Sequence, residues 1–216
     1  MPAIKVYSLM SYPSWDFREV SWRDMDHKAF FFVHAVKDDK KKIGSKSKAF
    51  NIGANSTPVL LTRNNLHLAQ NYYAAWVARG LRQLGVGDPV IVPIPNRNAL
   101  VGSTDFNTAR LTRSVAAAYG NGARAAPVLR FREFVPKERG SRQSVGELVD
   151  NLVMTDPLPA GTVVVLDDVF TLGRHIMAAS QVLSAVRPPT MGFTAGRTVK
   201  APLAKMFSAT ISDLQY

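Results

Sequence analysis

The sequence has no cysteine among its 216 residues. That excludes a disulfide framework, a thiolate metal site and a cysteine nucleophile. No stretch approaches the roughly 18 consecutive apolar residues of a membrane span. The opening MPAIKVYSLMSYPSWDF is broken by Ser, Pro and Asp before a signal-peptide core forms. These absences predict a soluble, cytoplasmic protein without membrane contact. Internal repeats and low-complexity linkers are also missing. His27, His34, His67 and His175 have no tight ligand spacing, so no metal site built from them is expected.

Acid is scarce as well. Sixteen Asp+Glu stand against 27 Lys+Arg, giving a net charge of +11. The excess is uneven. Residues 37–48 (KDDKKKIGSKSK) carry six Lys against two Asp. Residues 105–145 carry Arg110, Arg113, Arg124, Arg130, Arg132, Lys137, Arg139 and Arg142 against three acids. Such an excess attracts phosphates, whether on a nucleotide, a nucleic acid or a lipid surface. The plainer reading of the Lys cluster is a solvated surface turn.

The 46% apolar content is that of a globular chain, and the length suits one to two domains. Residues 1–62 read as an N-terminal extension. Within it, Lys28–Val36 (KAFFFVHAV) is aromatic and β-branched and predicts a strand. The Lys-rich stretch then reads as a turn or mobile loop. Pro58–Thr62 is a further strand candidate. Asn64 or Asn65 can cap a helix whose apolar stripe is Ala69, Tyr72, Tyr73, Trp76, Val77, Leu81 and Leu84. Strand and helix then alternate. Val90–Pro95 is a short buried strand. Asn107 or Thr108 caps a helix bearing Leu111, Val115, Ala118 and Tyr119. Ala126–Phe131 is a strand, and Ser144 to Glu147 has the form of a capping box. Val163–Leu166 (VVVL) is a continuous apolar strand of the kind buried on both faces. A helix with Ile176, Ala179, Ser180, Leu183 and Val186 on its inner stripe follows, and Met191–Ala195 is a last strand. Strands separated by helices predict an α/β fold with a parallel sheet.

The chemically informative segment is Val163–His175, VVVLDDVFTLGRH. A buried strand runs into two carboxylates, Asp167 and Asp168, then a short loop with Thr171 and Gly173, then a helix. In an open α/β sheet, ligands sit at the carboxyl ends of the strands. The loop amides and the helix N-terminus face an anion placed there, and Gly173 allows close backbone approach. Acids beside a phosphate site suit sugar hydroxyls or an Mg2+ that bridges to phosphate. An ordinary strand-to-helix turn with an Asp cap has the same form.

VVVLDDVFTLGRH resembles the phosphoribosyl-pyrophosphate (PRPP) motif of the type I phosphoribosyltransferases. Val90–Gly120 is similar to the ComF and amidophosphoribosyltransferase-like group of that superfamily, through Val92-Pro93-Ile94-Pro95, Asn96-Arg97-Asn98 and Asp105-Phe106-Asn107. Phe193–Thr198 is similar to that group's terminal strand. The likeness covers residues 89–198. It implies a core over residues 63–200, a small hood from the chain ends, and a C-terminal extension over 201–216. It also implies transfer of phosphoribosyl from Mg-bound PRPP to an unknown nitrogen acceptor, with release of pyrophosphate. Asp167 and Asp168 would hold the ribose 2- and 3-hydroxyls with Mg2+ close by. Val169, Phe170, Thr171, Leu172, Gly173 and Arg174 would wrap the 5-phosphate. Asn96 and Arg97 stand in the pyrophosphate loop. Arg132–Gln143 stands in the flexible loop, with Lys137, Arg139 and Arg142 as its phosphate ligands. Members of the superfamily often dimerise, so a homodimer is compatible.

Some positions depart from the motif. Leu172 stands where the family has a second Thr, and His175 where a Thr commonly follows the Gly. The group's four-Cys zinc module has no counterpart. These departures keep a second function open: a non-catalytic PRPP or nucleotide binder, or a ComF-like protein of DNA handling whose basic surface meets nucleic acid. A basic nucleic-acid-binding protein on an incidental fold is the third.

Overall fold

A computed structural model of the chain describes residues 2–16, 18–43, 49–50, 58–134 and 143–216. Five helices and a mostly parallel mixed sheet of seven strands make an α/β architecture. In chain order the elements are β1 (Ala3–Pro13), α1 (Asp24–Val36), β2 (Ala49–Phe50), β3 (Val59–Leu60), α2 (His67–Gln83), β4 (Pro89–Pro93), α3 (Asn107–Tyr119), β5 (Arg124–Ala125), β6 (Leu129–Phe131), α4 (Val145–Asn151), β7 (Leu152–Met154), β8 (Thr162–Leu166), β9 (Val169–Phe170), α5 (Arg174–Ser184), β10 (Met191–Val199) and β11 (Thr210–Gln215). The main sheet runs β11-β1-β10-β8-β4-β5, with β9 also paired to β10. Only β11 is antiparallel to its neighbour. Two-stranded ribbons, β2-β3 and β6-β7, lie outside it.

The continuous apolar run of β8 has a direct cause. Val164 and Leu166 enter one core with side chains of α1, α2 and α3. Val163 and Val165 enter a second core with side chains of α4 and α5. Both faces are covered, so neither position parity tolerates a polar residue. The segments read as chain-end extensions supply strands to this same sheet. β1 pairs with β10 over Lys5–Pro13, and β11 pairs with β1.

Several sequence expectations are corrected. Lys28–Val36 is not a strand but the body of α1. Ala29, Phe32, Val33 and Val36 are all buried at helical spacing, and that period outweighs the β propensity of the aromatics. Of Ala126–Phe131 only β6 is a strand, and it pairs antiparallel with β7 outside the main sheet, which takes the preceding β5 instead. Pro127, with no N–H to donate, separates the two. Met191–Ala195 is not the last strand, because β11 follows. Neither Asn64 nor Asn65 caps α2, whose N-cap is Leu66. The Asn65 side chain instead accepts from Thr62 N–H (2.6 Å) and donates to the Leu60 carbonyl (2.9 Å). The capping box at Ser144 forms as read, with Glu147 returning to the Ser144 amide at 2.6 Å. Among the described residues, no helix is long and apolar enough to cross a membrane.

Candidate functional site

The β8 ladder breaks after Leu166 at Asp167-Asp168 and resumes as β9. Both acids still bond β10 through their backbones: Asp167 N–H donates to Phe193 O (3.0 Å), and Asp168 O accepts from Ala195 N–H (3.1 Å). Their side chains face a cavity of about 880 Å3 across the carboxyl ends of β4 and β8. This is where an open α/β sheet places ligands.

The short turn after β9 carries Thr171, Leu172 and Gly173 on the same cavity. Gly173 adopts φ 69°, in the left-handed region, and its N–H begins the set that lacks an intrahelical partner in α5. A Cβ there would lie 2.7 Å from Leu214 and 3.0 Å from Phe170, so both conformation and space require glycine. The N-terminus of α5 thus opens toward the two acids. Arg174 lines the cavity and donates to the Gln143 carbonyl at 3.0 Å.

The electrostatics of the acid pair are strained. Burial, then repulsion from Asp168, push the Asp167 carboxyl well above the usual carboxylate range. Burial raises Asp168 too. The Lys37 charge pulls both down, as does the Val169 N–H. The nearby Asn107 side chain opposes the Asp168 rise further. Burial and the same two acids hold the Tyr12 and Tyr73 phenols protonated. The Tyr73 hydroxyl donates to the Asp167 carbonyl at 3.2 Å, bracing the acid turn from beneath.

The opposite wall comes from α1 and α3. Lys37, Asp39, Asn107 and Thr108 line the cavity there. Asn107 does not cap α3, whose N-cap is Phe106; its amide nitrogen donates to Val36 O at 3.1 Å. Thr108 likewise spends its hydroxyl on Ile94 O at 2.6 Å. Asp38, at φ 56°, pairs with Arg110 (3.1 Å), and Arg110 and Arg113 both pair with Asp105 (2.6 and 2.7 Å). His34, buried behind Asp39, reaches its carboxylate at 3.1 Å. Burial pushes the imidazole down to about 4, so the ring is neutral at pH 7 and donates from Nδ1.

Most of the sequence-predicted residues therefore meet. Asp167, Asp168, Val169, Thr171, Leu172, Gly173, Arg174, Asn96 and Arg97 line one cavity. Asn96 closes a turn, with Asn98 N–H donating to its Oδ1 at 3.1 Å, and the Arg97 guanidinium lies 5.9 Å from the Phe134 ring centre. Phe170 departs from the expectation. With Val169 it forms β9, and its side chain is buried in the core on the α5 side, so the loop proper is Thr171–Gly173. Lys137, Arg139 and Arg142 lie outside the described residues, as does Gly44–Lys48 of the Lys-rich stretch. Part of the basic excess is structural. Arg110 and Arg113 serve the Asp105 cluster, and buried Arg130 donates to Ser103 O at 2.7 Å.

Sequence reading missed Lys37, Asp39 and the true role of Asn107. Lys37 was masked by the lysines around it. Asn107 carried a usable signal, since a polar residue in the first turn of an amphipathic helix either caps or reaches inward. No protein-family model matches the chain, and no curated protein matches it.

Proposed function

We propose that this cleft binds PRPP with Mg2+ and transfers its phosphoribosyl group to a nitrogen acceptor, on a type I phosphoribosyltransferase-like core. One observation carries the reading: two adjacent desolvated carboxylates at the end of a central parallel strand, one short turn from a helix N-terminus on the same cavity. Paired acids in such a place are costly until hydroxyl donors or a cation join them. A ribose supplies the hydroxyls, and its 5-phosphate supplies the anion for the turn and α5.

In this reading Asp167 and Asp168 accept hydrogen bonds from the 2- and 3-hydroxyls and fix the ring. The Thr171–Gly173 amides and the α5 N-terminus hold the 5-phosphate. The Asn96–Asn98 turn and Arg97 face the pyrophosphate. Carboxylate oxygens suit a hard cation, so the same two acids would hold Mg2+, which supplies charge neutralisation for the departing pyrophosphate. The acceptor nitrogen forms the new bond to C1 as the C1–O bond to pyrophosphate breaks, and the nitrogen sheds its proton. The chain's contribution is placement and charge stabilisation.

A pyrophosphate-release assay with Mg-PRPP over a panel of heterocyclic bases, amides and amines tests this. Release that depends on one acceptor class is expected. Leu172, exposed at the rim with no hydroxyl to offer, favours a ribose-phosphate binder without turnover as the second reading. Tight PRPP binding with no release for any acceptor would select it.

A further inference from the structure

The α1 wall of the cleft carries a lysine whose backbone is held in place by structure. Lys37 follows directly on α1, and its backbone N–H is fixed to Val33 O at 2.9 Å. The peptide before it is clamped from α3, because the Asn107 amide nitrogen donates to Val36 O at 3.1 Å. A single side chain thus ties the end of α1 to the start of α3. The residue after Lys37 is pinned as well, by the Asp38–Arg110 ion pair. Held on both sides, half-buried Lys37 shares the cavity wall with Asp167 and Asp168.

Asn107 supplies a second, independent sign of a ligand. Its residue is 8% exposed, and its Oδ1 has no hydrogen-bond partner among the described residues. The amide cannot be turned over, because Val36 O requires a donor. A buried acceptor therefore stands unpaired on a residue that lines the cavity with the two acids. An orphan of that kind costs free energy until a donor such as a sugar hydroxyl fills it.

We propose that Lys37 is the built-in counter-cation of the Asp167–Asp168 pair, so that the cleft holds the ribose phosphate part of its ligand without a divalent metal. The proposal rests on the ribose-phosphate reading of the cleft. Mg2+ would then join the two acids only together with the pyrophosphate of PRPP. A lysine suits this task, since a flexible point charge can face two carboxylates at once without demanding octahedral geometry.

Calorimetry with ribose 5-phosphate, which lacks the pyrophosphate, separates the cases. Titrations are run in chelator and in millimolar Mg2+, on wild type, Lys37→Met and Lys37→Arg, with circular dichroism confirming the fold of each. Wild-type affinity is expected to differ by less than about threefold between the two conditions. Lys37→Met is expected to lose about tenfold or more in chelator, the size of one charge-assisted contact, and to recover part of it in Mg2+. Lys37→Arg, which keeps the charge, is expected to lose less. Binding by wild type only in Mg2+ overturns the proposal and leaves the ribose-phosphate reading standing. So does equal affinity of Lys37→Met and wild type in chelator. Absence of ribose 5-phosphate binding to wild type in both conditions overturns the underlying reading, and the proposal with it.

Discussion

The two walls of the cleft are made in different ways. One comes from a single contiguous segment, in which β8, the acid pair, the Thr171–Gly173 turn and α5 follow each other directly. The other is assembled from the end of α1 and the start of α3, 71 residues apart at the Val36–Asn107 hydrogen bond. The contiguous wall is fixed by backbone: two ladders, a left-handed glycine and a helix start. The assembled wall is fixed by side chains, through Asn107, the Asp38–Arg110–Asp105 cluster and the His34–Asp39 contact. In the proposed reading the first positions an anion and a sugar, and the second adds the charge and the acceptor that tune them. It follows that the assembled wall is the more sensitive to single side-chain changes.

The largest expected effect is acid lability of the assembled wall. His34 titrates at about 4 in the fold, against about 6.5 unfolded. Between these values the unfolded chain binds the extra proton, so stability falls as pH drops from about 6.5 toward 4. The loss reaches an order of 3 kcal/mol. Melting temperatures across that range should show this slope in wild type and a flatter one in His34→Gln. Parallel slopes would mean that His34 is not the buried neutral group described.

Asn107→Ala comes next. It leaves Val36 O without its side-chain donor, which costs about 1–2 kcal/mol. Chemical denaturation should show that loss, together with weaker binding of ribose phosphates. An unchanged midpoint would mean that Asn107 does not tie α1 to α3.

The contiguous wall responds in the opposite direction. Asp167 has a raised carboxyl, so the folded state binds the extra proton above the ordinary Asp value of about 3.9. Its contribution therefore destabilises the fold progressively as pH rises through that window. Asp167→Asn keeps an acceptor for Asp168 N–H, now at 2.8 Å from Asp167 Oδ1, and removes the repulsion. The ligand-free variant should be more stable at neutral pH, by about 1 kcal/mol. A lower melting point would make the acid pair a structural element. The smallest effect belongs to Arg110→Ala. Its partners are half-exposed, so stability should fall by less than about 1 kcal/mol. Ribose-phosphate affinity should still weaken measurably as the turn after Lys37 loosens.

Legibility in the sequence followed the same division. β8 and α5 were readable because a run buried on both faces and a helical stripe are local patterns. The Ser144 capping box was readable for the same reason. α1 was misread because its aromatics and valines mimic a strand, although Ala29, Phe32, Val33 and Val36 already had helical spacing. β1 escaped notice because its inward row of Ile4, Val6, Ser8 and Met10 is interrupted by Ser8, which is buried only because it bonds Thr194 at 2.8 Å. Lys37 had no local pattern at all, and the pattern at Asn107 read equally well as a helix cap. Their roles arise from the packing of α1 on α3, which spacing along the chain does not encode.

The central claim, that Asp167 and Asp168 hold the ribose of a phosphorylated ligand, is tested most directly by calorimetry of Mg-PRPP on wild type and Asp168→Asn at neutral pH. The account predicts clear binding to wild type and an affinity about 10- to 100-fold lower in the variant, the loss of one charge-assisted hydrogen bond. Equal affinities for the two proteins, or no heat with wild type, would contradict it.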